Sequence, residues 1–163
     1  MDDGSTVKIR SINAQDKHAI QEEMRKWWGS DMIVLRGEKV FPAEFGGFIA
    51  EYKQQIAGMI VLRVRGDTCE ILSLTTNTTL PSTGIKLVEA TIRYAQANSA
   101  DRIAVVTTND NINALKFFQQ SGFTICDWRK NAIKKFRQIK PRIPLKGNYH
   151  IPIRDEIELE LSI

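Results

Sequence analysis

The chain has 163 residues, 42% of them hydrophobic, and a formal net charge of +4, which suits one hydrophobic core and is short for two ordinary domains. No apolar run approaches the ~20 residues of a membrane helix, and the polar amino end MDDGSTVKIR is unlike a signal peptide, so a cytoplasmic protein is expected. Cys69 and Cys126 lack CxxC spacing and neighbouring histidines, which argues against a disulfide framework or a metal site and for two reduced, packed thiols.

Residues 7–12 alternate apolar and polar, as a half-buried strand does. Asn13 is placed to cap a helix that carries Ile20, Met24 and Trp27 at helical spacing and ends at Gly29. A short apolar run, MIVL, then precedes a glycine-containing turn. GFIAEY and IAGMIVLRVR read as strands joined by Lys53, Gln54 and Gln55, and CEILSLTT as a third strand after Gly66 and Asp67, a three-strand meander. From Gly84 the period changes, with Leu87, Val88, Thr91, Ile92 and Ala95 describing an amphipathic helix. RIAVVTT is a β-branched run suited to a buried central strand. A helix over residues 111–121 ends at Gly122, and residues 123–128 form a further strand. A basic helix follows over residues 129–140 and stops before Pro141. EIELEL alternates strictly, with Ile157, Leu159 and Leu161 expected on the buried face.

The stretch NINALKFFQQSGF, residues 111–123, resembles the N-x-x-A-x-x-F-Y-x-x-x-G-F motif of the GNAT superfamily of N-acetyltransferases, with Phe118 in the tyrosine position. The order of elements is similar to that family's too. The resemblance implies a single domain over residues 1–163 with an α/β (α+β) fold: a mixed, mostly antiparallel sheet of roughly six or seven strands with helices on both faces. It also implies a basic helical insertion at residues 129–148, before the last strand. The implied activity is acetyl-CoA-dependent transfer of an acetyl group to a primary amine of a small molecule or peptide. A weakly active or inactive acyl-CoA-binding or regulatory protein is the alternative.

In that family a loop [Q/R]-x-x-G-x-[G/A] brings backbone N–H groups and a helix N-terminus to the pyrophosphate. The aligned residues here are TLPSTG, so Thr79 stands for the usual cation, Pro81 offers no N–H, and Ser82, Thr83, Gly84 and Ile85 are left to bind. By the same resemblance Leu74, Thr75 and Thr76 line one arm of a splayed strand pair that takes the pantetheine, with Thr107, Thr108 and Asn109 on the other. Asn111, Ala114, Phe117 and Phe118 flank the cofactor. The Leu74 backbone N–H is the candidate oxyanion donor and Glu70 the candidate base, with Glu44, Glu51 and Asp110 as lesser carboxylates. Phe118 cannot protonate a leaving thiolate, which leaves water, Ser73, Tyr52 or Tyr149.

His18 and His150 are expected in solvent. Trp27, Trp28, Phe41, Phe45 and Phe48 are candidates for an acceptor wall, against the reading that they are core. Residues 129–146 carry basic side chains and no acid, which suits either a solvated helix face or an anion site. An apolar stripe at Phe136 would favour a subunit contact, and relatives are commonly homodimers. A nucleic-acid module is disfavoured, because the chain has no helix-turn-helix pair or aromatic single-strand platform.

Overall fold

A computed structural model describes residues 6–77 and 80–163. Thr79 and the first five residues, on which parts of the sequence reading fall, lie outside the described residues. The strands are β1 (Lys8–Ser11), β2 (Ile33–Leu35), β3 (Glu38–Val40), β4 (Gly46–Tyr52), β5 (Gln55–Arg65), β6 (Thr68–Thr76), β7 (Arg102–Thr108), β8 (Thr124–Arg129) and β9 (Glu156–Ser162). The helices are α1 (Lys17–Trp28), α2 (Ser82–Ala97), α3 (Ile112–Gln120) and α4 (Ala132–Ile139).

Seven strands form one mixed sheet in the order β1-β4-β5-β6-β7-β9-β8, antiparallel except between β6 and β7. The remaining two, β2 and β3, pair only with each other. The MIVL run is therefore half of a hairpin, turned at Arg36 (φ 52°) and Gly37 (φ 80°). Left-handed conformation at both central residues is what a tight two-residue hairpin turn demands. Three-residue strands lie below the length at which alternation can be recognised, which is why periodicity missed them.

Helices cover both faces. Ile20 and Met24 of α1 pack with Ile33, Val40, Ile49, Met59, Val61 and Leu72. Leu87 and Val88 of α2 and Phe118 of α3 pack with Ile60, Ile71, Ile103, Val105 and Leu159 on the other face. Alternation along β5 thus sends Met59 and Val61 to the α1 face and Ile60 and Leu62 to the α2 face.

The end caps follow the local sequence. Asn13 closes a capping box with Asp16, and Gly29 (φ 75°) terminates α1 through its N–H to the Arg25 carbonyl. Arg10 holds Asp16 from β1 at 2.8 and 2.9 Å, and this bond lowers the Asp16 carboxyl below its usual range.

The insertion differs from its reading. Helix α4 starts only at Ala132, and Ile133 and Phe136 are buried, so no apolar Phe136 stripe is left for a subunit contact. Cys69 is a packed thiol, raised to about 11 by burial, whereas Cys126 is exposed at the bulge of edge strand β8, contrary to the expectation of two packed thiols. No described helix is long and apolar enough to cross a membrane.

Candidate functional site

The parallel pairing of β6 and β7 covers only Thr68↔Arg102 to Ile71↔Val105. Beyond it β6 stays on β5 as far as Gly58↔Thr76, while β7 stays on β9 as far as Thr108↔Glu156. The divergence begins at a bulge, where Val61 and Leu62 face Ser73 and Ile71 and leave Leu72 as the extra residue of β6. The two strands therefore open as a V, and the main chains of residues 72–76 and 106–108 form its arms.

Helix α2 begins at the open end of this V. Pro81 precedes it and no described side chain caps it; the Thr83 N–H donates to the Leu80 carbonyl at 3.3 Å, and the other N–H groups of the first turn and the helix dipole are available to an anion. A Cβ on Gly84 would lie 3.0 and 3.1 Å from the Phe117 ring, so glycine is what lets α3 sit this close to the first turn of α2. Thr83 is fully buried and, like Ser73 and Thr75, has a side-chain oxygen without a hydrogen-bond partner. An arm of unpaired main chain, an uncapped helix start and the buried Thr83 hydroxyl without a partner fit a pantetheine and a pyrophosphate.

Several candidate side chains are committed elsewhere. Asn109 donates to the Pro152 carbonyl and accepts from the Arg154 and Asp155 N–H groups, and its own N–H donates to the Asp155 carbonyl at 3.1 Å, so only its main-chain carbonyl remains for the arm. Asn111 caps α3 through its Oδ1 on the Ala114 N–H at 3.3 Å, which leaves its Nδ2 donor. Phe118 is 4% exposed and stacks edge-on with Phe117 and Phe123. Ile85 and Thr76 are exposed, while Leu74 packs on the α2 face.

The α1 face carries an ion network that sequence reasoning missed. Glu70 is buried and bonded by Arg63 at 2.7 Å and Arg36 at 2.8 Å, with Arg65 at 3.5 Å. Burial alone would raise its carboxyl, but the Arg63 bond and the three arginine charges outweigh burial and hold it below the ordinary range. Glu158 meets Arg36 at 2.6 Å and Arg129 at 3.4 Å, and Glu156 meets Arg129 at 2.7 Å. Two of the three glutamates of the EIELEL alternation, Glu156 and Glu158, are thus buried as well, because arginines from β8 and the β2–β3 turn cover them. Alternation predicted the apolar face correctly and gave no signal for the partners of the other.

The remaining expected groups are accounted for by structure. Asp110 accepts from the Asn148 N–H and Nδ2 at 3.0 Å each and from the Thr108 hydroxyl at 2.5 Å, and a Cβ on Gly147 would overlap its carboxylate. Glu51 pairs with Arg10, and Glu44 is exposed. His18 is exposed beside Glu22, and His150 is exposed in a loop. Phe48 stacks on Tyr94 on the α2 face and is no part of a wall with the exposed Trp27, Trp28 and Phe41. Tyr149 donates to Asn113 Oδ1 at 2.9 Å. Lys140, buried and without a carboxylate, donates to the Trp28 and Met32 carbonyls at 2.8 Å each, pinning the insertion to the end of α1. No described group of three or more His, Cys, Asp or Glu is placed to hold a metal ion.

A mixed sheet that opens between its one parallel pair, with a helix N-terminus at the opening, defines the GNAT class of fold. A family model described as "Acetyltransferase (GNAT) family" matches residues 13–123. Two Bacillus subtilis (strain 168) proteins described as uncharacterized, YxbD and YdhI, are each 33% identical to this chain. The matches cover 88% and 86% of this chain, and 91% and 89% of the relatives. Among solved structures, the IAA acetyltransferase from Bacillus cereus ATCC 14579 superposes with a TM-score of 0.76 at 21% identity, covering 97% of this chain and 100% of that one. An acetyltransferase from Elizabethkingia anophelis with acetyl-CoA bound gives 0.69 at 20% identity, covering 96% and 98%. A Bacillus subtilis acetyltransferase in complex with CoA also gives 0.69, at 18% identity, covering 97% and 99%. The chain belongs to the GNAT acetyltransferase family.

Proposed function

We propose that the chain binds acetyl-CoA in the β6/β7 V and transfers its acetyl group directly to a primary amine of a small molecule or peptide. The V, opening where the uncapped α2 begins, is the observation that carries this reading. The main chains of Leu74, Thr75 and Thr76 and of Asn109 hold the pantetheine between the arms. Ser82, Thr83, Gly84 and Ile85 present the helix start to the pyrophosphate, while Asn111 Nδ2, Ala114 and Phe117 flank it. Phe118 acts from the core, by setting the position of Phe117. Acetyl-CoA supplies the activated thioester, and the protein supplies position and charge stabilisation.

The Leu74 N–H is the donor assigned to the developing oxyanion, a role worth ~2.7–4 kcal/mol for a single donor. Glu70 is the acceptor-side carboxylate. With Arg63 and Arg36 upon it, it is a weak proton acceptor, so water takes the amine proton in this arrangement. Water also protonates the thiolate, because Phe118 has no acidic hydrogen and Tyr149 is spent on Asn113.

One observation favours a second reading, binding without efficient turnover: the family's tyrosine is here a buried hydrocarbon. Free-thiol release from acetyl-CoA across a panel of primary amines separates the two. Amine-dependent release above the rate without protein is the expected outcome. Saturable acetyl-CoA binding with no release for any amine would establish the second reading.

A further inference from the structure

On its α1 side, the V is crossed by the Arg36 side chain at the end where its arms meet. Arg36, at the tip of the β2–β3 hairpin, places Nη1 2.8 Å from Glu70 Oε1 on β6 and Nη2 2.6 Å from Glu158 Oε1 on β9. Its backbone N–H donates to Glu156 Oε2 at 3.0 Å. Strands β6 and β9 are not neighbours; β7 lies between them, with Ala104 opposite Glu70. The guanidinium therefore bridges the sheet over a small residue, at the level where the two arms separate.

Two features distinguish this bridge from an ordinary structural ion pair. First, the carboxylates keep other partners without it: Glu70 retains Arg63, and Glu156 and Glu158 retain Arg129. Lifting Arg36 leaves the described network with four guanidinium groups, Arg63, Arg65, Arg102 and Arg129, against six carboxylates, Glu38, Glu70, Asp127, Glu156, Glu158 and Glu160, an excess of negative charge that attracts a replacement cation. Second, buried hydroxyls without partners lie on the same face. Met59, Val61 and Arg63 alternate on one side of β5, and their register partners are Thr75, Ser73 and Glu70. Ser73 and Thr75 are each 5% exposed, and neither Ser73 Oγ nor Thr75 Oγ1 has a hydrogen-bond partner. Residues two apart on a strand share a face and are ~6.6 Å apart, which sets both hydroxyls on one side of β6.

The element that carries Arg36 suits a movable part. The hairpin pairs with no strand of the main sheet. Its base is anchored through buried Ile33 and Val40, whereas charge holds its tip, and a two-stranded hairpin has little stability of its own.

We propose that this end of the V is a cation subsite kept closed by the protein's own Arg36, and that the acceptor amine carries a second positive group, guanidinium or ammonium, which takes Arg36's place between Glu70 and Glu158. The proposal rests on the acetyltransferase reading for where the acceptor enters. Displacing Arg36 admits the amine to Ser73 and Thr75, while the incoming cation keeps the charge on Glu70 balanced. Closure by Arg36 reduces the apparent affinity for the acceptor by the fraction of molecules that are open.

The test is calorimetric binding of agmatine, a primary amine joined to a guanidinium, and of butylamine, which lacks the second cation, to the full-length wild type, Arg36→Ala and Arg36→Lys. Arg36→Ala is expected to bind agmatine about tenfold more tightly than wild type, with butylamine unchanged, as release of a closed fraction of about nine-tenths requires. Arg36→Lys, which cannot bridge both carboxylates as a fork, is expected to fall between them, and it carries the test if Arg36→Ala does not fold. Equal agmatine affinity in wild type and variants, or no binding to any, overturns the subsite. Acetyl-CoA binding to the same preparations is titrated separately. Its absence from wild type strikes the acetyltransferase reading, while the agmatine comparison still judges the subsite.

Discussion

The two faces of the V are built from different materials. On the α2–α3 face the site is main chain and hydrocarbon: unpaired strand backbone, the uncapped start of α2, Gly84 under Phe117, and the Phe117–Phe118–Phe123 stack. On the α1 face it is an ion network, drawing Arg36 from a hairpin turn, Glu70 from β6, Glu158 from β9 and Arg129 from β8. A site made of backbone tolerates exchange of side chains and depends on the course of the chain. A site made of paired charges depends on each partner, because a buried charge left alone is costly. The first face suits a constant cofactor, and the second suits an acceptor that differs from one chain to another.

Breaking the network tests this division most severely. Glu70→Ala leaves half-buried Arg63 short of its main partner and is expected to cost about 3 kcal/mol in denaturant unfolding, while the thermal shift produced by acetyl-CoA persists. Loss of both together would mean that the faces are not independent. The reverse variant is Gly84→Val, whose branched side chain meets the Phe117 ring and separates α2 from α3. It is expected to abolish the ~2.7 kcal/mol of stabilisation that a ligand at about a hundred times its Kd provides, with agmatine binding retained.

A smaller effect is expected where the insertion meets the acceptor side. Lys140→Met strands the Trp28 and Met32 carbonyls and is expected to cost about 1–3 kcal/mol by thermal unfolding without altering acetyl-CoA affinity. The smallest effect appears only in acid. Asp155, bonded by Arg154 and by the Asn131 N–H at 2.8 Å, has its carboxyl lowered to about 2 from an ordinary 3.8. A depressed folded value means that its stabilisation is complete above 3.8 and disappears as the pH falls through about 2. Asp155→Asn should therefore lose stability at neutral pH and show a flatter decline across that window. An unchanged acid limb would contradict this.

The elements that frame the V were legible in the sequence for physical reasons. Helical and strand periods gave the element order, Gly122 marked the end of α3, and NINALKFFQQSGF identified the helix that backs the V. The opening itself is a matter of register, since it depends on where β7 leaves β6 for β9, and no local pattern encodes that. The acceptor face was nearly illegible. Arg36 stands 34 positions from Glu70 and 122 from Glu158, in a turn flanked by strands too short for periodicity to detect. The basic run over residues 129–146 drew attention as a cationic surface, yet Arg129, Arg137 and Lys140 are spent on carboxylates and carbonyls inside the structure. Composition registers such charges and says nothing of their partners.

The central claim is that the V binds acetyl-CoA, and its most direct test is the melting temperature of the wild-type protein titrated with acetyl-CoA. The account predicts a saturable rise, equivalent to ~2.7 kcal/mol at about a hundred times Kd. No rise at millimolar acetyl-CoA would contradict it.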